Sequence, residues 1–196
     1  MAVAFGAAAP AAHGATTDPT LVAWCADDPI DWEDFLARPP ANASANLQAA
    51  AICMMVDWNI RLVAEYDYGS GRWHAAIPIG DVEVRNAMDP TRSWAAPSES
   101  SELTLRHEQS HFDLSEVYCR KLELSLQCLS VSAPTSAEAR TALSAAIHET
   151  AETILRTLED MQDTYDEETR HGTHAEMQRA WDQRIAGWLV EPLSAP

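Results

Sequence analysis

Five residues in this chain, His107-Glu108-Gln109-Ser110-His111, have the types and spacing of a reactive centre. On a helix, two histidines four residues apart project from one face and can share a zinc ion, which places Glu108 beside the metal. Two imidazoles then anchor the ion while the carboxylate takes a proton from the activated water. That is the division of labour of a zinc hydrolase attacking a carbonyl. The competing reading of the same residues is a solvated helix with two surface histidines and a surface glutamate.

A catalytic zinc centre normally has three protein ligands and one open position. His171 is the expected third ligand, since it stands at the end of a long helical stretch where Gly172 permits a sharp exit. A histidine there could instead favour the negative end of the helix dipole. Asp166 is the main rival, and Glu138, Glu149 and Glu152 are further acidic candidates. His174 is held in reserve, while His13, His74 and His148 read as ordinary surface or core histidines. Tyr165 could donate a hydrogen bond to a developing oxyanion or could be packed aromatic core. Asp166 and Asp113 could orient a ligand imidazole through its other ring nitrogen, although for Asp113 a cap or loop anchor fits an ideal helix better.

The elements that must position these groups read as α+β. Leu103–Tyr118 carries no Gly or Pro, and His111, Leu114 and Tyr118 fall on one helical stripe, so a helix is expected over 101–126. Thr135-Ser136-Ala137-Glu138 reads as the N-terminal signal of a second helix running to about Thr169. A third is expected over Ala175–Leu189, with Trp181 and Trp188 on its packing face. Before them, the Ile-, Val- and Trp-rich stretches 51–68, 73–79 and 82–88 read as a small antiparallel sheet closed by Asp89-Pro90 and Pro97-Ser98. In this reading Val82–Met88 is the edge strand on which an extended peptide would pair. Trp32 and Phe35 read as core plugs before the Pro39-Pro40 turn.

With 13 basic and 30 acidic residues the net charge is −17, and Lys121 is the single lysine. Nucleic acid and anionic membrane surfaces repel such a chain, so neither is an expected partner. No stretch after the start approaches membrane-spanning length, so membrane insertion is not expected. Residues 1–20 are Ala-rich and uncharged until Asp18. They read as a truncated secretory signal or a disordered leader before a single domain over 21–196. Cys25, Cys53, Cys119 and Cys128 allow two disulfides in an exported protein, but Cys119 and Cys128 would stand about 13 Å apart on a continuous helix and could not pair with each other.

The sequence also resembles an uncharacterised family of bacterial exported proteins predicted to be zincin-like zinc proteases. The resemblance rests on Trp32-x-Asp34-Phe35, Ser93-Trp94, Leu105 through Asp113, Tyr165-Asp166-x-x-Thr169-x-His171-Gly172, and Gln178 and Trp181. Ser110 stands where a Gly is expected, and Leu36-Ala37-Arg38 replaces a Gly-containing turn. The resemblance implies a zincin-like fold, a periplasmic or secreted location and zinc-dependent peptide hydrolysis, with His107, His111 and His171 on the metal and Glu108 as general base. Two other functions fit the motif: a non-catalytic, metal-stabilised interaction protein, and a zinc amidase acting on cell-wall amide bonds.

Overall fold

The computed structural model describes residues 20–41, 43, 49–96 and 101–196. The reading of residues 1–20 as a leader and of Pro97-Ser98 as a closing turn falls essentially outside them. The architecture is α+β, with antiparallel sheets and three long helices. Helix α1 is Glu102–Gln127, α2 is Ser136–Thr169 and α3 is Ala175–Val190. Each start has a chemical cause. Ser101 Oγ accepts the Thr104 N–H at 3.1 Å. Thr135 and Glu138 form a reciprocal capping box at the start of α2, and the His174 side chain caps α3 by accepting the Met177 N–H.

The strands are β1 (Val22–Ala23), β2 (Ala50–Ala51), β3 (Met54–Ile60), β4 (Val63–Asp67), β5 (Arg72–Ala76), β6 (Val82–Met88), β7 (Trp94–Ala95) and β8 (Ser130–Ala133). They form three sheets rather than the single one expected, ordered β1-β6-β3, β2-β7 and β4-β5-β8. The registers explain the division. Ile60 faces Val82 and Val63 faces Ala76, so β3-β4 and β5-β6 are the two sides of one long ribbon interrupted at 61–62 and 77–81. An Arg61 N–H to Asp81 carbonyl bond and an ion pair between the same residues close the interruption. Its base is extended by β1 and its tip by β8. Strand β6 is therefore central, not an edge as the sequence suggested, because β1 pairs with its Ala87–Met88 end and Trp24 N–H reaches the Asn86 carbonyl.

Helix α1 lies between two buried clusters. Leu114, Tyr118, Leu122 and Leu126 pack with Leu143, Leu158 and Trp181 from α2 and α3, while Phe112 packs with Ile30, Ile52, Met54 and Met88. Covering this helix on more than one side leaves its middle dry, so a polar group there must find protein partners. The four cysteines are free thiols; Cys53 and Cys119 are buried, Cys25 and Cys128 exposed. The two disulfides that an exported chain could have formed are not present.

Candidate metal centre

The motif residues face inward. His107 and Glu108 are each 4% exposed and His111 1%, which disposes of the solvated-helix reading. Across from them, the inward stripe of α2 carries Gln162, Tyr165, Asp166 and Thr169, all buried polar-tipped residues at helical spacing. The Nε2 atoms of His107 and His111 stand 3.1 Å apart, and lie 3.1 and 3.0 Å from Asp166 Oδ1. Among the described residues, His107, His111 and Asp166 are the group able to offer three converging donor atoms to a metal.

The outer nitrogen of each ring is occupied by an amide. His111 Nδ1 lies 2.5 Å from Gln162 Oε1, and that glutamine's Nε2 donates to the His111 carbonyl at 3.0 Å. His107 Nδ1 lies 3.3 Å from Gln178 Oε1 on α3. An amide oxygen can only accept, so each Nδ1 carries the proton. In the neutral rings both Nε2 atoms then present lone pairs to one another and to a carboxylate oxygen. Such a convergence is repulsive without a cation. Its spacing is close to the roughly 3.3 Å between tetrahedral donors at zinc–nitrogen distances of about 2.0 Å, so the residues fit a zinc ion.

Burial alone would push the Asp166 carboxyl up; when the His107 and His111 rings are protonated, their hydrogen bonds and charges outweigh it and hold the group well below the usual carboxylate range. Glu108 behaves in the opposite way. Burial pushes it up to about 7, against the pull of His107 and of the Ile52 N–H, which donates to Oε2 at 2.9 Å. That bond comes from the residue following β2, and the Ala49–Ala51 backbone walls the cleft that also exposes His107, Glu108, His111 and Asp166. It is β2, rather than β6, that borders the site.

Two expected site residues stand apart from the converging donors. His171 is not one of the three converging donors: it is half-exposed at the cleft edge, with Nδ1 3.2 Å from the same Asp166 oxygen. The chain turns there through three consecutive residues with positive φ, Arg170, His171 and Gly172, which swings the ring to the outer side of Asp166. Tyr165 is also displaced from its oxyanion role. It is fully buried and stacks on the His107 ring at 4.8 Å, and its hydroxyl bonds with Gln178 and the His107 carbonyl. It packs behind the histidine, in keeping with the alternative reading of a packed aromatic core.

Asp113 proves to be a loop anchor, accepting from Trp24 Nε1 at 2.8 Å and from Gln109 Nε2 at 2.7 Å. The Glu138 carboxylate is spent on the α2 cap, accepting from the Thr135 N–H and hydroxyl, and His174 on the α3 cap. Neither is drawn to the centre. Sequence reasoning missed the roles of Gln162 and Gln178. The available signal was a run of polar residues on the core-facing stripe of α2, where leucines would otherwise stand.

Neither the curated proteins nor the solved structures contain a match to this chain. Residues 43–172 do match a family described as "Bacterial protein of unknown function (DUF922)", a span that holds His107, Glu108, His111, Asp166 and His171. Because that span covers well over half of the sequence, the chain belongs to the DUF922 family.

Proposed function

We propose that this protein is an exported zinc-dependent metallopeptidase with a zincin-like fold, holding one Zn2+ on His107, His111 and Asp166. The observation that carries the reading is the convergence of two Nε2 atoms on one carboxylate oxygen, with both Nδ1 atoms paired with amide oxygens. When bound, zinc supplies Lewis-acid polarisation and makes water ionisable near neutral pH.

The chain's own residues do the rest. Glu108 is the general base and then the general acid. In the metal-free protein burial raises its carboxyl to about 7, and the Ile52 N–H fixes its orientation. Asp166 contributes negative charge to the centre, and His171 braces its outer side. Ala49–Ala51 line the cleft with small side chains, and an extended peptide would pair beside β2. Export is supported by the Ala-rich start and by the resemblance described above.

Elemental analysis of purified protein tests the metal centre. About one zinc per chain is expected in the wild type, with zinc lost from His107→Ala and Asp166→Ala. His171→Ala should retain it; complete loss there would return His171 to the ligand set. Glu108→Gln can still accept the Ile52 N–H, so it should keep zinc while losing about 10²- to 10⁴-fold in turnover. Full activity in that variant would refute the mechanism. Product analysis on peptides and on cell-wall fragments separates a peptidase from an amidase, and a zinc-loaded protein that cleaves neither would be the interaction protein.

A further inference from the structure

Gln178 can fix the tautomer of His107 only if its own amide is held one way round, and the network behind it shows what holds it. Its Nε2 donates to Asp182 Oδ1 at 2.8 Å, one turn further along α3. It also approaches Ser110 Oγ at 3.2 Å, and the Ser110 hydroxyl lies 2.9 Å from the same Asp182 oxygen. The other Asp182 oxygen forms an ion pair with Arg106. An ionised carboxylate only accepts hydrogen bonds, so the NH2 end of Gln178 must face Asp182 and the carbonyl end must face His107.

We propose that Asp182 is a positioning residue for the metal centre: acting through Gln178, it holds His107 in the Nδ1–H tautomer and keeps Nε2 free to bind the ion. The inference rests on the zinc reading above. Were the amide reversed, its NH2 would meet His107 Nδ1, the ring proton would move to Nε2, and that proton would point at the metal position. His111 needs no such device, because its own carbonyl, which also only accepts, fixes the Gln162 amide. The two histidines of one motif are thus oriented by different means. Ser110, which stands where the resemblance expects a Gly, joins the network that orients His107.

The test uses Asp182→Ala and Asp182→Asn in the full chain, with two readouts. The first is the tautomer of His107 in metal-free protein, read from imidazole 15N shifts; the second is zinc affinity by competition with a chromophoric chelator. Asp182→Ala should populate the Nε2–H form and bind zinc about 10- to 100-fold more weakly. Asp182→Asn keeps an acceptor oxygen and should stay within a few-fold of wild type. An unchanged His107 tautomer in Asp182→Ala overturns the proposal whatever the affinity does, and so does a shifted tautomer with unchanged affinity. If Asp182→Ala does not fold, Gln178→Met, which removes the amide at nearly constant shape, must give the same two changes. Failure of the wild type to take up zinc would refute the zinc reading, whereas the metal-free tautomer measurement tests the Asp182 device separately.

Discussion

Gly172→Ala should damage the centre through a single methyl group. Gly172 has φ +79°, and a Cβ there would lie 2.9 Å from His107 Cβ and 3.0 Å from its Cγ, well inside the 3.5–4.0 Å optimum for carbon pairs. The histidine cannot simply withdraw, since it is stacked on Tyr165, bonded to Gln178 and rooted in the second turn of α1. Two costs therefore add. An alanine in the left-handed region costs about 1–2 kcal/mol, and overpacking a filled site costs about 1–3 kcal/mol. Gly80→Ala is the control, for Gly80 has φ +84° and nothing within 4 Å of its Cβ position. Urea unfolding of metal-free protein should give a loss of about 1–2 kcal/mol for Gly80→Ala and about 2–5 kcal/mol for Gly172→Ala. If the clash is relieved by turning the His107 ring, zinc binding must turn it back, and 1–3 kcal/mol corresponds to about 5- to 150-fold weaker binding. Equal destabilisation of the two variants, or wild-type zinc affinity in Gly172→Ala, would refute the reasoning.

Chelation of the zinc-loaded protein should lower its stability by about 2.7 kcal/mol relative to free zinc at 100 times Kd, and an unmoved melting curve would contradict a folded-state metal site. In a colorimetric thiol titration, Cys25 and Cys128 should react promptly, while Cys53 and Cys119, whose thiols burial pushes up, should wait for unfolding; four prompt thiols would contradict the packing. Trp24→Phe removes a donor from Asp113 and should cost about 1–3 kcal/mol in urea unfolding. Burial raises the Glu116 carboxyl, against the pull of Arg120, so its contribution to stability is greatest below its ordinary value of 4.5 and declines as pH rises above it. Glu116→Gln should accordingly gain on the wild type across that window, and a constant difference between the two from pH 4 to 8 would show the shift to be absent.

The helices were legible in the sequence because their determinants are local. A Thr-x-x-Glu box starts α2, and an unbroken apolar stripe runs through α1, so the expected bounds differ from those observed by a residue or so. The sheets were less legible because their pairing is not local. β8 is a four-residue segment between two helices, and its partner β5 lies about sixty residues earlier; nothing in Ser130-Val131-Ser132-Ala133 announces that contact. Similarly, the alternation in 51–88 shows strands but not that β4 and β5 pair inside the β3–β6 pair, which depends on the interruption at 61–62 and 77–81.

At the site the same distinction holds. His107, Glu108 and His111 share one helix and one spacing rule, so they could be found together. Choosing between Asp166 and His171 required knowing how the chain leaves α2. The ideal continuation of a helix would not place a residue five positions past Asp166 beside that same carboxylate; three successive positive-φ residues do. The DUF922 span ends at Gly172, the residue whose missing side chain lets this turn press against His107. Helix α3 follows, carrying Gln178 and Asp182, so two of the groups that orient His107 lie beyond the matched residues. If Asp182 acts as proposed, the matched segment contains the donors but not the residue that holds one of them in its metal-binding tautomer, and Asp182→Ala in the full chain should bind zinc poorly even with its three donors intact.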